Sequence, residues 1–225
     1  MSKFIPNIKQ TLKESTPLST LKDDVAFNAE EQARIAKLLK PLIEIGNNGD
    51  EKLNKTLNKL LRQFIWNATE YSDEGSSNKY VGQPYWSEAA ILLYLEKKLF
   101  DFPSRFKSLR HEHSMPINLI VQIIKDKPDA IAETISKYAR AVIVTEDEDR
   151  KIRGRKLHNC LSDDFATHGN LLCRYTASDV SAIYDVRKIE LINRLITSNK
   201  RDFISLINEK KLSQGVTVVK TLFSK

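Results

Sequence analysis

The sequence predicts an α+β fold that is predominantly α-helical, with a few strands in the C-terminal half. Apolar residues recur at three- and four-residue spacing behind capping residues along most of the chain, the pattern of helices with one buried face. Against that background, Ala141-Val142-Ile143-Val144-Thr145 is short, β-branched and strand-like. Gly215 to Phe223 has the same character and reads as a final strand.

The elements follow in order. Residues 1–27 are polar, contain Pro6 and Pro17 and show no sustained period, so they read as an extended or loosely ordered arm. Asn28 followed by Glu31 forms a capping box that opens a helix with Ile35, Leu38, Leu39 and Leu42 on one face. Pro41 is expected to kink or end that helix, and Gly46 and Gly49 mark the turn. Asp50 caps a second helix carrying Leu53, Leu57, Leu60, Leu61 and Phe64, so the pair reads as an antiparallel hairpin. Residues 71–85 form the clearest loop. Ser87 caps a helix through Phe100, and Pro103 stops it. Pro116 and Pro128 open helices over 117–125 and 129–139. Thr145 and Glu148 form a T-x-x-E capping box, so the strand at 141–145 leads straight into a helix. Its first turn holds Glu146 to Asp149, where the helix dipole favours carboxylates. Two more helices are expected near 179–197 and 200–212. The resulting organisation is an arm at 1–27, a helical region at 28–100 and an α+β region at 101–225 that carries the candidate site.

The composition bounds the function classes. A chain of 225 residues, 41% hydrophobic and 29% charged, can bury a proper core without disulfides. No apolar run is long enough to span a membrane, and the N-terminus has no signal-peptide core. The two cysteines imply no disulfide framework, hence a reducing, cytoplasmic setting. A net charge of +7 favours DNA as a partner, with a protein partner or homodimer as further expectations and no membrane association. There is no Walker A string, G-x-G-x-x-G, G-x-S-x-G, C-x-x-C or H-E-x-x-H, which disfavours nucleotide-driven, dinucleotide and zincin chemistry.

All six soft metal ligands fall between residues 111 and 173: His111, His113, His158, Cys160, His168 and Cys173. The string Arg110-His111-Glu112-His113-Ser114-Met115-Pro116 contains an acidic residue, a histidine, two further residues and a proline. It resembles the first-strand motif of the HNH, or ββα-metal, nucleases. The resemblance implies that Glu112 holds a divalent Mg²⁺ or Mn²⁺, that His113 is the general base activating water, and that Glu148 or Asp149 on the capped helix is the second metal ligand. It thus implies a metal-dependent DNA endonuclease (a hydrolase) of restriction or mobile-element type. Two segments read as helices separate His113 from that capped helix. The basic run Arg150, Lys151, Arg153, Arg155 and Lys156 is suited to gripping flanking phosphates, or equally to pairing with the acidic turn before it. His158, Cys160, His168 and Cys173 are candidate Zn²⁺ ligands, and the alternative is packed thiols with unrelated histidines. His111 and His113 equally suit surface or helix-entry positions. Tyr80, Tyr85 and Trp86 read as loop anchors or as base-stacking aromatics. The rival function is a non-enzymatic, basic DNA- or protein-binding module, such as a phage or plasmid regulator or inhibitor.

Overall fold

A computed structural model describes residues 4–21, 29–49, 51–69, 80–100, 108–161, 165 and 169–212. Helices α1 (Phe4–Glu14), α2 (Ala29–Asn47) and α3 (Glu51–Ala68) come first, and β1 (Tyr85–Ser87) then runs directly into α4 (Glu88–Phe100). Next come β2 (Leu109–His113), α5 (Ile117–Asp126), a 3-10 turn at Pro128–Ala130, α6 (Ile131–Tyr138), β3 (Ala141–Thr145) and α7 (Glu146–Gly154). A single-turn helix, α8 (Cys173–Thr176), precedes β4 (Ile183–Asp185), a second 3-10 turn at Val186–Lys188, α9 (Glu190–Thr197) and α10 (Lys200–Leu212). The fold is α+β with helices predominating.

The strands form one mixed sheet in the order β2-β3-β1-β4. β1 and β3 are parallel, and the other two pairings are antiparallel. All five residues of β3 are buried, which is why its sequence is a continuous β-branched run rather than an alternating one. One face of the sheet presents Val142, Val144, Tyr85 and Ile183 to a core shared with α2, α3, α5, α6 and α7. The other presents Leu109, Ile143, Trp86 and Tyr184 to a core shared with α1, α4, α9 and α10. The division expected at residue 100 is not a division of the core, because Leu57, Leu61 and Ile65 pack in one cluster with Ile120, Ile124 and Val142.

Several expectations need correction. Phe4–Glu14 is a helix, not an extended arm: Ile8 and Leu12, one turn apart, are fully buried while their neighbours face water. Pro6 sits in its first turn, where a missing N–H costs nothing. Pro41 neither ends nor shortens α2, which continues to Asn47. Pro41 is on the exposed side, so the Lys37 carbonyl it leaves unbonded can turn to water. The buried face of α2 is also rotated by about one residue from the expected one. Ile43 is buried, and Ala36 and Leu39 pack against the core, whereas Leu38 and Leu42 are exposed. Residues 179–185 are not helical; Ile183 to Asp185 pair with β1, and the helix begins only at Glu190. Of the loop expected at 71–85, Tyr85 belongs instead to β1, and residues 71–79 lie outside the described residues, as do the caps assigned to Asn28 and Asp50, Pro103 and the strand at 215–223.

Candidate functional site

The string that carries the nuclease resemblance lies on β2, which pairs antiparallel with β3 from Leu109↔Thr145 to His113↔Ala141. β3 enters α7 without a loop. The capping box forms as expected: Thr145 Oγ1 accepts from the Glu148 N–H at 3.2 Å, and Glu148 Oε2 accepts from the Thr145 N–H at 2.9 Å. Two antiparallel strands followed by a helix are therefore present, with α5 and α6 inserted between the strands. Arg110 reaches Glu146 at 2.8 Å and closes the far end of this unit.

Strand alternation decides where the side chains go. Glu112 shares a face with Val142, and His113 shares the opposite face with Ala141 and His111. The structure therefore does not bring Glu112 and His113 to a common point. Glu112 lies beneath α7 and α8. Its carboxylate bonds the fully buried Arg174 at 2.7 Å, Arg174 also donates to the His113 carbonyl at 2.6 Å, and the Tyr175 hydroxyl donates to the Glu112 carbonyl at 3.2 Å. Burial raises the Glu112 carboxyl above its ordinary value; Arg174 opposes that shift, and the nearby Asp149 carboxylate adds to it. Asp149 is itself held by Arg153 at 2.9 Å. Of the three proposed metal ligands, then, Glu112 and Asp149 belong to one four-charge cluster with Arg153 and Arg174.

Glu148 does not belong to it. Its carboxylate is buried and accepts five hydrogen bonds. Oε2 takes Ser87 Oγ at 2.7 Å, the Thr145 N–H, and Thr145 Oγ1 at 3.1 Å. Oε1 takes the Ser181 N–H at 3.0 Å and Ser181 Oγ at 2.6 Å. The two serine hydroxyls in turn accept from the N–H groups of Ala90 and Ala89 at the start of α4. Glu148 thus joins the N-termini of α4 and α7 to both β1 and the approach to β4. Among the described residues no group of three or more His, Cys, Asp or Glu side chains converges on a common point that could hold a metal.

His113 is 5% exposed and faces the C-terminal end of α3. The Thr69 hydroxyl donates to the Trp66 carbonyl, so the 2.9 Å contact between His113 Nε2 and Thr69 Oγ1 places the ring proton on Nε2. His111 Nε2 donates to the Thr69 carbonyl at 3.2 Å, and the Trp66 ring lies 5.0 and 5.2 Å from the two imidazoles. Burial, reinforced by His111 and Arg174, pushes His113 well below the ordinary 6.5. Its basicity is weakened and its Nε2–H is bonded inward, which is not the posture of a base that takes a proton from bound water near neutrality. Neither histidine is at the surface.

The basic run is paired. Arg150 meets Asp147 at 3.0 Å and Glu146 at 3.9 Å, Arg153 meets Asp149, and Arg155 meets Asp179. Lys151 donates to the Asp179 carbonyl at 3.0 Å. Lys156 is exposed just beyond α7, in the left-handed region at φ 60°. Of the pairing expected as the alternative to phosphate binding, Arg150 with Glu146 forms, whereas Lys151 turns to the Asp179 carbonyl rather than to Asp147 or Glu148. In the second cluster, His158 and Cys160 are exposed, with Cys160 Sγ donating to the Lys156 carbonyl, while Cys173 is buried on α8. These three do not form a ligand set, and His168 lies outside the described residues. Tyr80, Tyr85 and Trp86 are anchors: all three are buried, Tyr80 donates to the Leu109 carbonyl at 2.9 Å, and Trp86 donates to the Gln83 carbonyl at 2.7 Å.

The residues that sequence reasoning missed are Arg174, Ser181, Thr69 and Trp66, together with the bond from Ser87, expected only as a cap, to Glu148. Arg174 did leave a signal. A cation directly after Leu171-Leu172-Cys173 must be buried with them or break the stretch, and a buried guanidinium needs an internal carboxylate. No protein-family model, curated protein or solved structure matches this chain. No helix among the described residues is long and apolar enough to cross a membrane.

Proposed function

We propose that this protein is a non-enzymatic recognition module that docks a macromolecular partner on its α2–α3 hairpin, with the sheet and the α7 charge clusters as scaffold. One observation carries the reading. The large aliphatic side chains exposed among the described residues are Leu38, Leu42, Ile45, Leu53 and Leu60, and all of them lie on α2 and α3. Scattered single aliphatics are ordinary on a protein surface, but a concentration on one supersecondary unit marks an interaction site. The groups with hydrolytic chemistry are, by contrast, engaged in internal bonds that hold the fold.

A second reading, a metal-dependent endonuclease, is favoured by the β2–β3–α7 arrangement and by the proximity of Glu112 to Asp149. In it those two carboxylates hold Mg²⁺ or Mn²⁺, and the base is a group other than His113. One experiment separates the two: supercoiled plasmid is incubated with Mg²⁺ or Mn²⁺ and the wild-type chain, Asp149→Asn or His113→Ala. The recognition reading expects no nicking above buffer by any of them. Nicking by wild type that Asp149→Asn abolishes overturns it in favour of the nuclease.

A further inference from the structure

The hairpin's geometry narrows the occupant. Gly46 lies against Leu57, and Gly49 against Leu53, so the helices run antiparallel and approach closely at the turn. At about 100° per residue, the direction from α2 toward α3 passes near Gly46 and Gly49, and the direction toward the core passes near Leu39 and Ile43. Leu38, Leu42 and Ile45 lie on the other side of the α3 direction from the core. On α3, Leu53 and Leu60 stand in the same relation to the buried Leu61 and Ile65. The exposed aliphatics therefore line the outer seam between the helices, a groove spanning about three helical turns.

Just beyond the seam, the same repeat places Arg34 and Lys37 on the α2 flank and Lys52 and Lys59 on the α3 flank, all exposed. None of these four has an ion-pair partner among the described residues. Among the described side chains, the carboxylate on that flank, Glu44, is near Lys40 at 4.0 Å. The hairpin is thus an aliphatic groove with a cationic rim.

We infer that this groove holds an amphipathic helix of a protein partner, with its apolar stripe in the seam and acidic residues on either side of the stripe. The inference rests on the recognition reading above. An aliphatic groove between two helices accepts side chains at i, i+4 and i+7, the helix-in-groove mode of recognition. Cations on both flanks, without ion-pair partners among the described residues, select carboxylates and steer their approach. A second copy of this chain on the same face would set cationic rim against cationic rim in a symmetric pairing. Nucleic acid would leave five aliphatics against phosphates. A bilayer surface is disfavoured by the absence of aromatic anchors among the exposed seam residues.

The test is a selection of displayed helical peptides of roughly four turns against the full chain, with Leu42→Glu as the counter-target. Hits are measured by fluorescence anisotropy on wild type, Leu42→Glu, the milder Leu60→Ser and the rim variant Lys37→Glu/Lys59→Glu. All substituted positions are exposed, and circular dichroism checks that each variant folds. The expected hits carry aliphatics at helical spacing flanked by Asp and Glu. They lose at least tenfold affinity on Leu42→Glu and on the rim reversal, and they weaken as salt rises. Hits without acidic bias, hits indifferent to these substitutions, or no hits at all overturn the inference. So does sedimentation with phosphatidylserine vesicles that Leu42→Glu abolishes, which assigns the groove to membranes. A dimer that Leu42→Glu dissolves overturns it in favour of self-association. Each of these outcomes changes the occupant, whereas plasmid nicking removes the recognition reading itself.

Discussion

Replacing Glu148 with alanine should destabilise the junction that the capped helix organises. Five donors converge on its carboxylate, and they differ in what they can do once it is gone. The three hydroxyls of Ser87, Thr145 and Ser181 can rotate toward other acceptors. The Thr145 N–H is buried and the Ser181 N–H partly so, and neither can move without moving a strand. Stranding a buried donor costs about 1–3 kcal/mol. With one full and one partial case, plus the loss of charge-assisted bonds from the hydroxyls, the total is about 3 kcal/mol. For a chain of this length that corresponds to a drop in Tm on the order of 10 °C. Glu148→Gln keeps the shape but turns an amide nitrogen toward donors on one side, so it should lose about half as much. Urea unfolding followed by far-UV circular dichroism reads both. A loss below about 1 kcal/mol for Glu148→Ala would refute the reasoning, because it would mean that the carboxylate is dispensable to the fold and available for a ligand. A carboxylate held for a metal behaves in the opposite way, since its removal relieves repulsion and spares stability.

Four further outcomes follow from the same geometry. His113 is held below its unfolded value, so the stability it contributes is present above pH 6.5 and is lost as pH falls toward the folded value; the slope is up to about 1.4 kcal/mol per pH unit, and urea titrations should show it shallower in His113→Gln. Burial lowers Lys98 from 10.5 to about 8, although its ammonium donates to the carbonyls of Leu195, Ile196 and Ser198. By the same sign, stability should rise between pH 8 and 10.5 in wild type relative to Lys98→Met, and parallel pH profiles of the two proteins would count against it. Arg174→Met should cost about 3–5 kcal/mol by leaving the Glu112 carboxylate buried without its partner, and adding Glu112→Gln should restore part of that in urea unfolding; additive losses would deny the coupling. Trp86→Ala should cost about 3–5 kcal/mol in the same assay, because Trp86 is fully buried between the sheet and α4, and a near-neutral result would mean the ring is not core.

Local signals were read correctly wherever a short stretch of chain decides its own conformation. The T-x-x-E box, the serine cap at 87, the proline that opens α5, and the β-branched strand at 141–145 all depend on neighbours within one turn, whereas Pro128 opens a 3-10 turn and the helix expected from 129 begins at Ile131. Amphipathic faces were harder. On α2, aliphatics at 38, 39, 42, 43 and 45 surround much of the helix, and periodicity cannot say which of them the core takes. Residues 109–113 are too polar, and 183–185 too short, to register as strands alone, and they become strands because β3 and β1 offer them edges. The candidate site suffered most. Glu112 and His113 are adjacent in sequence, which makes a motif, but a pleated strand sends adjacent side chains to opposite faces.

By itself, then, the sequence determined an α+β, helix-rich composition, the capped β3–α7 junction, and a concentration of His, Cys and acidic groups between residues 111 and 173. Only the tertiary structure decided what those groups do. It turned Glu148 into a five-bond junction, paired Glu112 with a distant arginine, closed His113 against α3, and paired Arg150 and Arg153 with acids of their own helix. The physical reason is that burial and partner choice are set by segments far apart in the chain. Glu112 and Arg174 lie on opposite sides of α5, α6, β3 and α7 in sequence, yet their 2.7 Å contact settles the role of both. The same packing left one face of the α2–α3 hairpin aliphatic and open to solvent, and that is where the functional question now points.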